Sequence, residues 1–88
     1  MTQEEIIAIA KEIQKDYSNN VIKDIEFPPL VDKRTLKDVG IGVMFQLSTK
    51  FDYDMVIIGS WKKILGADNW YIRVRRNQLH LTFYIHFK

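Results

Sequence analysis

The residues best suited to chemistry lie near the C-terminus, where aromatic and cationic side chains alternate: Tyr71, Arg73 and Arg75, then His80, Tyr84 and Lys88. Rings that stack on bases, interleaved with cations that meet phosphates, are what a platform for single-stranded nucleic acid uses. The same residues suit an ordinary solvated sheet face, where Tyr71 with Tyr84 and Arg73 with Thr82 form cross-strand pairs worth about 0.2–1 kcal/mol each. The formal net charge of +2 favours the second view, because non-specific nucleic-acid binders concentrate many more cations. If nucleic acid were the ligand, Lys62 and Lys63 would extend the positive rim.

Other combinations carry less. His80 and His86 suggest an acid and a base for phosphodiester cleavage, but six residues of strand hold them roughly 20 Å apart, so they cannot share one scissile bond. Asp24 with Glu26, and Asp52 with Asp54, have the i, i+2 spacing that puts two carboxylates on one strand face, as a Mg²⁺ site needs; neither pair has a histidine near it in sequence. Gly40 and Gly42 lie within a strand pattern and no lysine-bearing helix start follows, so they form no phosphate loop. Trp61 and Trp70 read as core anchors, given the area each would bury. No cofactor and no metal are expected.

The elements that position these residues begin with the last twenty, Asn69 to Lys88, which form two alternating runs and read as a β-hairpin. A two-residue loop at Asn77 and Gln78 sets Arg75 opposite His80, Val74 opposite Leu81, Ile72 opposite Phe83 and Tyr71 opposite Tyr84. Trp70, Ile72, Val74, Leu81, Phe83 and Ile85 then share one face, and Tyr71, Arg73, Arg75, His80, Thr82, Tyr84, His86 and Lys88 the other. A loop one residue longer would bury arginines against phenylalanine, at a cost of several kcal/mol for each unpaired charge. Asn77 tolerates the positive φ of a type I′ turn, whereas Gln78 is a poor substitute for glycine.

Thr2 followed by Glu5 reads as a capping box, and Ile6, Ile9, Ala10, Ile13 and Tyr17 recur at helical spacing, giving a helix over 3–17 that Ser18, Asn19 and Asn20 should end. Residues 21–38 read as a loop: Phe27-Pro28-Pro29 cannot sit in a central strand. Phe27, Leu30, Val31 and Leu36 are its anchors, and Asp32 would cap one helical turn through Lys37. Val39 to Ser48 is a strand with Val39, Ile41, Val43, Phe45 and Leu47 on one face; the glycines on the other suggest a bulge, a bend or a close neighbour. Residues 51–66 are ambiguous. Val56-Ile57-Ile58-Gly59-Ser60 is poor helix material, which favours a strand from Tyr53 to Ile58 and a short helix from Trp61 to Leu65 ended by Gly66. The alternative is a single helix from Asp54 to Leu65, with the order αβαββ.

The whole is an α+β fold in a single domain over residues 1–88: an N-terminal helix packed on a four-stranded, mainly antiparallel sheet that ends in the C-terminal β-hairpin. The chain is 47% apolar with no cysteine, so packing must stabilise it, aided by oligomerisation if at all. Without a basic, apolar leader or a run long enough to span a bilayer, a soluble cytoplasmic protein with no membrane partner is expected. One helix cannot cover four strands, and the Phe27–Leu36 loop is expected to complete the cover. The other face would gather Met44, Val56, Ile58, Tyr71 and Tyr84 into an apolar patch. The leading functional expectation is a small non-enzymatic interaction or regulatory protein that binds a protein partner, or itself as a homo-oligomer, through that exposed sheet face. A nucleic-acid-binding module using Tyr71, Arg73, Arg75, His80 and Tyr84 is the alternative. Third comes a toxin-type ribonuclease in which Arg73 or Arg75 steadies phosphate and His80 or Tyr84 moves a proton.

Overall fold

A computed structural model describes residues 2–48 and 55–87, apart from the side chains of residues 17–20. The chain runs α1 (Gln3–Val21), β1 (Ile22–Glu26), β2 (Pro29–Val31), β3 (Asp38–Leu47), α2 (Met55–Leu65), β4 (Asn69–Arg75) and β5 (Gln78–His86). All pairings are antiparallel, in the order β1-β3-β5-β4, with β2 also lying against β3. The α+β class expected from the sequence is the observed one.

The capping box starts α1 as its residue types require. Thr2 Oγ1 accepts the Glu5 N–H and Glu5 Oε1 accepts the Thr2 N–H, each at 3.2 Å. The helix does not stop at Ser18 but runs to Val21 and passes directly into β1. Burial explains the extension, because Ile22 is fully buried and Val21 packs against the core, so the chain must arrive at the sheet without a detour.

Residues 22–31, expected as a loop, are two short edge strands. Pro28 lies in the break between them, where its carbonyl accepts the Gly42 N–H at 2.7 Å, and Pro29 opens β2; both prolines are therefore confined to an edge. Gly42 is bare because Pro28 lies on it: a Cβ there would come within 2.9 Å of the proline ring. This is the close neighbour that the strand glycines suggested. Beyond β2, Asp32 Oδ1 accepts the Arg34 N–H and the Asp32 carbonyl accepts from Leu36, closing a single turn. Phe27 packs against the core, but Leu36 is 79% exposed, so this segment does not complete the helix layer.

The second helix completes it. Residues 55–58 are not a strand; they open α2, as in the single-helix alternative, while Tyr53 and Asp54 lie outside the described residues. Ile58, Trp61 and Leu65, at helical spacing, are all buried, and that burial outweighs the poor propensity of Gly59 and Ser60. Gly66 (φ 67°) ends the helix as a Schellman motif, with Ala67 N–H bonded to the Lys62 carbonyl and Gly66 N–H to that of Lys63.

The hairpin forms with the expected faces but a different turn. Arg76 (φ 51°) and Asn77 (φ 61°) are the central residues, as a type I′ turn demands, and Gln78 is the first residue of β5. Gln78 is thereby spared the left-handed conformation that suits it badly. Val74 then faces Leu79, Arg73 faces His80 and Trp70 faces Phe83. Each pairing moves by two residues from expectation, so no side chain changes face. Odd-numbered residues of β3 and β5 form the floor of the core beneath α1 and α2: Ile41, Val43, Phe45, Leu47, Leu79, Leu81, Phe83 and Ile85 are each at most 6% exposed. Phe45 joins the layers, its ring 5.5 Å from Trp61 and 6.0 Å from Phe83.

Phe83→Ala should lower unfolding stability by about 3–5 kcal/mol, the cost of a buried phenylalanine left as a cavity. A Cβ on Gly59 would meet nothing within 4 Å, so Gly59→Ala should raise stability by about 0.5–1 kcal/mol. Urea titrations of both variants check the two signs together.

Candidate functional site

With both helices on the odd-numbered face, the even-numbered residues of β3 and β5 point to the other side, where among the described residues no helix lies and Pro28 covers Gly42. Register orders that side into rows. Asp24, Gln46, His80 and Arg73 stand opposite one another across β1, β3, β5 and β4; Glu26, Met44, Thr82 and Tyr71 form the next row; Gly42, Tyr84 and Asn69 form a third. The strand order thus puts carboxylates at one side of the face and arginines at the other.

On the β5–β4 side of the face Tyr71 and Tyr84 stack, with ring centroids 5.4 Å apart and planes inclined by 25°. They are diagonal neighbours, since Tyr71 lies directly opposite Thr82, and long aromatic side chains bridge that offset. The Arg73 guanidinium sits 5.9 Å from the Tyr71 ring centre, within cation–π range. The Tyr84 hydroxyl is pushed up to about 12, first by loss of hydration, then by its hydrogen bond and charge coupling to Tyr71, with Arg73 opposing. Tyr84 thus keeps its proton to higher pH than an ordinary tyrosine.

Of the residues singled out by sequence, Tyr71, Arg73, His80 and Tyr84 share this face, and Arg75 joins them at the turn end of β4. Lys62 and Lys63 do not: they lie in the last turn of α2, in the opposite layer. The expected apolar patch also separates, because Ile58 is in the core and Val56, 80% exposed, lies on α2. Lys88, Asp52 and Asp54 lie outside the described residues.

His80 stands beside Asp24, Glu26, Met44 and Gln46, which with it line a depression of about 20 Å³. That is below the ~300–1,000 Å³ usual for small-molecule sites. The Asp24 carboxylate is turned onto the Ile25 N–H at 2.9 Å, and among the described residues no group of three His, Asp or Glu side chains is placed to hold a metal ion. His80 contacts Gln78 Oε1 at 3.4 Å. Four residues of strand set His80 and Tyr84 ~13 Å apart, too far to serve one bond.

One pair escaped sequence reasoning. Asp68 Oδ2 receives both the backbone N–H of His86, at 3.0 Å, and its ring Nδ1, at 2.7 Å, tying the end of β5 to the entry of β4. Both side chains are more than half exposed, so the ion pair is worth under ~1 kcal/mol. The only available signal was hairpin closure itself, which brings the residue before β4 against the end of β5.

Among the described residues no helix is long and apolar enough to cross a membrane. Ultraviolet titration should resolve one tyrosine ionising near pH 12, and Tyr71→Phe should bring it down by removing a hydrogen bond that holds the proton. Because the folded value lies above the unfolded one, Tyr84's contribution to stability is intact below pH ~10 and lost as pH rises through the folded value. Compared with family models, curated proteins and solved structures, the chain matches none.

Proposed function

We propose that this protein is a non-enzymatic interaction module that holds a protein partner against its uncovered sheet face. The observation that carries this reading is the sidedness of the sheet: both helices pack on one face, while the other presents the Tyr71–Tyr84 stack beside Arg73 and Arg75 on β4 and β5, with Asp24 and Glu26 across the sheet on β1. Such a face fits a partner surface with a flat aromatic or apolar area, basic groups to meet β1 and acidic groups to meet β4. Tyrosine and arginine are the side chains that most often dominate binding energy at a protein interface. The shallow depression and the separation of His80 from Tyr84 favour binding over catalysis.

The Arg73–Tyr71–Tyr84 arrangement also supports a nucleic-acid reading, since it offers stacking surfaces beside a cation. Asp24 and Glu26 on the same face count against it, as they would repel a phosphate backbone laid across the strands.

A photo-crosslinking residue in place of Tyr71 should join the chain to one protein species in cells, and the same residue in place of Val56, on α2, should not. Tyr84→Ala should weaken that association about 30-fold, the ~2 kcal/mol of a central tyrosine, while lowering thermal stability by only ~0.2–1 kcal/mol. Adducts with RNA or DNA would move the face to the second reading, in which case Arg73→Ala with Arg75→Ala should reduce the salt dependence by about two ionic contacts. Equal labelling from both positions would overturn both.

A further inference from the structure

The two edges of the sheet differ in kind. The β1/β2 edge is interrupted by Phe27 and Pro28, begins again at Pro29, carries register shifts at Ile22/Asp24 and Leu30/Val31, and bears Lys23, Asp24 and Glu26. Those are the devices that stop a strand edge from pairing with another chain. β4 has neither break nor proline: its seven residues pair with β5 in one unshifted register.

Among the described residues no strand pairs with its other side, which is also apolar. The turn bonds Arg75 to Gln78, and because hydrogen-bonded pairs alternate in an antiparallel ladder, Arg73 and Tyr71 likewise bond inward to β5. Trp70, Ile72 and Val74 therefore direct their backbone groups outward. Consistent with this, the Trp70 N–H is taken locally by Asn69 Oδ1 at 2.8 Å. The side chains of the same three residues point toward the helix layer but pass beyond its cover, Val74 being 67% exposed.

We infer that β4 is a self-association edge that pairs antiparallel with β4 of a second copy about a two-fold axis through Ile72. The strand is complementary to itself in this register. Ile72 meets Ile72, Trp70 meets Val74 and Val74 meets Trp70, all three pairs using the outward N–H and C=O groups, with the Trp70 N–H passing from Asn69 Oδ1 to the second copy. On the opposite face Tyr71 meets Arg73 and Asn69 meets Arg75, so each arginine finds a ring or an amide. Centring the axis on Arg73 would set like charges face to face, and centring it on Tyr71 would lose an apolar pair; charge and burial thus select Ile72. The axis is perpendicular to the sheet, so both copies keep their helices on the same side. Two four-strand widths become one sheet eight strands wide, and the tyrosine-bearing faces become continuous. This surface is the strand edge; it borders the face proposed to bind a partner and shares Tyr71, Arg73 and Arg75 with it, whereas Tyr84 on β5 belongs to that face alone.

Sedimentation velocity on the full chain over the micromolar to millimolar range should show a reversible rise from the mass of one chain to that of two. Val74→Lys, at an exposed site, should raise the dissociation constant tenfold or more, with an unchanged melting temperature at concentrations where both chains are monomeric. Tyr84→Ala should leave the dimer intact, which separates failure of this edge from failure of the partner-binding face. The chain has no cysteine, so under mild oxidation Ile72→Cys should cross-link to itself while Val74→Cys, which faces Trp70, should not. A single-chain mass throughout the range, a dimer indifferent to Val74→Lys, or equal cross-linking from both cysteines would each overturn the assignment. A foreign strand recovered on Ile72→Cys from a protein that stays monomeric would do so as well.

Discussion

The structure depends on the ladder between β3 and β5, eight consecutive pairs from Gly40 opposite His86 to Leu47 opposite Leu79. Because successive side chains leave a strand on opposite sides, this pairing commits every odd residue of both strands to one face. A slip of one residue would replace Val43 and Phe45 on that face by Gly42 and Met44 or by Met44 and Gln46, or Leu81 and Phe83 by His80 and Thr82 or by Thr82 and Tyr84. No other element could restore the core, since among the described residues α1 and α2 each contribute only three buried side chains to it. The ladder therefore decides where the helices must lie, and by exclusion which face they leave open.

The character of the open face arises from strand order rather than from local composition. Asp24 and Glu26 arrive on β1 and Arg73 and Arg75 on β4, almost fifty positions later in the chain. Between them β3 and β5 interpose Met44, Gln46, Thr82 and Tyr84. A net charge of +2 conceals this separation, because cations and anions that cancel in a sum do not cancel across four strands. Interaction at such a face depends on matching both flanks at once, which serves specificity more than raw affinity.

The two edges express the same economy differently. At one, prolines and register shifts prevent further pairing; at the other, β4 is unbroken, regularly paired and only half covered by the helices. Sheet edges without protection are places where chains meet. An edge that places its own arginines opposite tyrosine and asparagine when it meets itself is suited to a defined contact rather than to open-ended aggregation.

What the sequence determined by itself was whatever depends on neighbours along the chain. Alternation in Trp70–Phe87 set the faces of the hairpin, Thr2 and Glu5 set the start of α1, and Gly66 set the end of α2, each through contacts within a few residues. The Arg76–Asn77 turn was missed by one position because alternation constrains faces and leaves pairings two residues apart equivalent. Tertiary structure alone decided the rest. Met55–Leu65 is helical because Ile58, Trp61 and Leu65 find the β3–β5 floor, a reward that local propensity does not contain. Ile22–Val31 became edge strands because β3 offered them an unpaired side, and Pro28 could be accepted where Gly42 left room. Lys62 was parted from Tyr71, and His80 brought beside Glu26, by the order in which strands and helices stack. Which distant residues share a surface is a property of packing, and packing is chosen by the burial of the whole core at once.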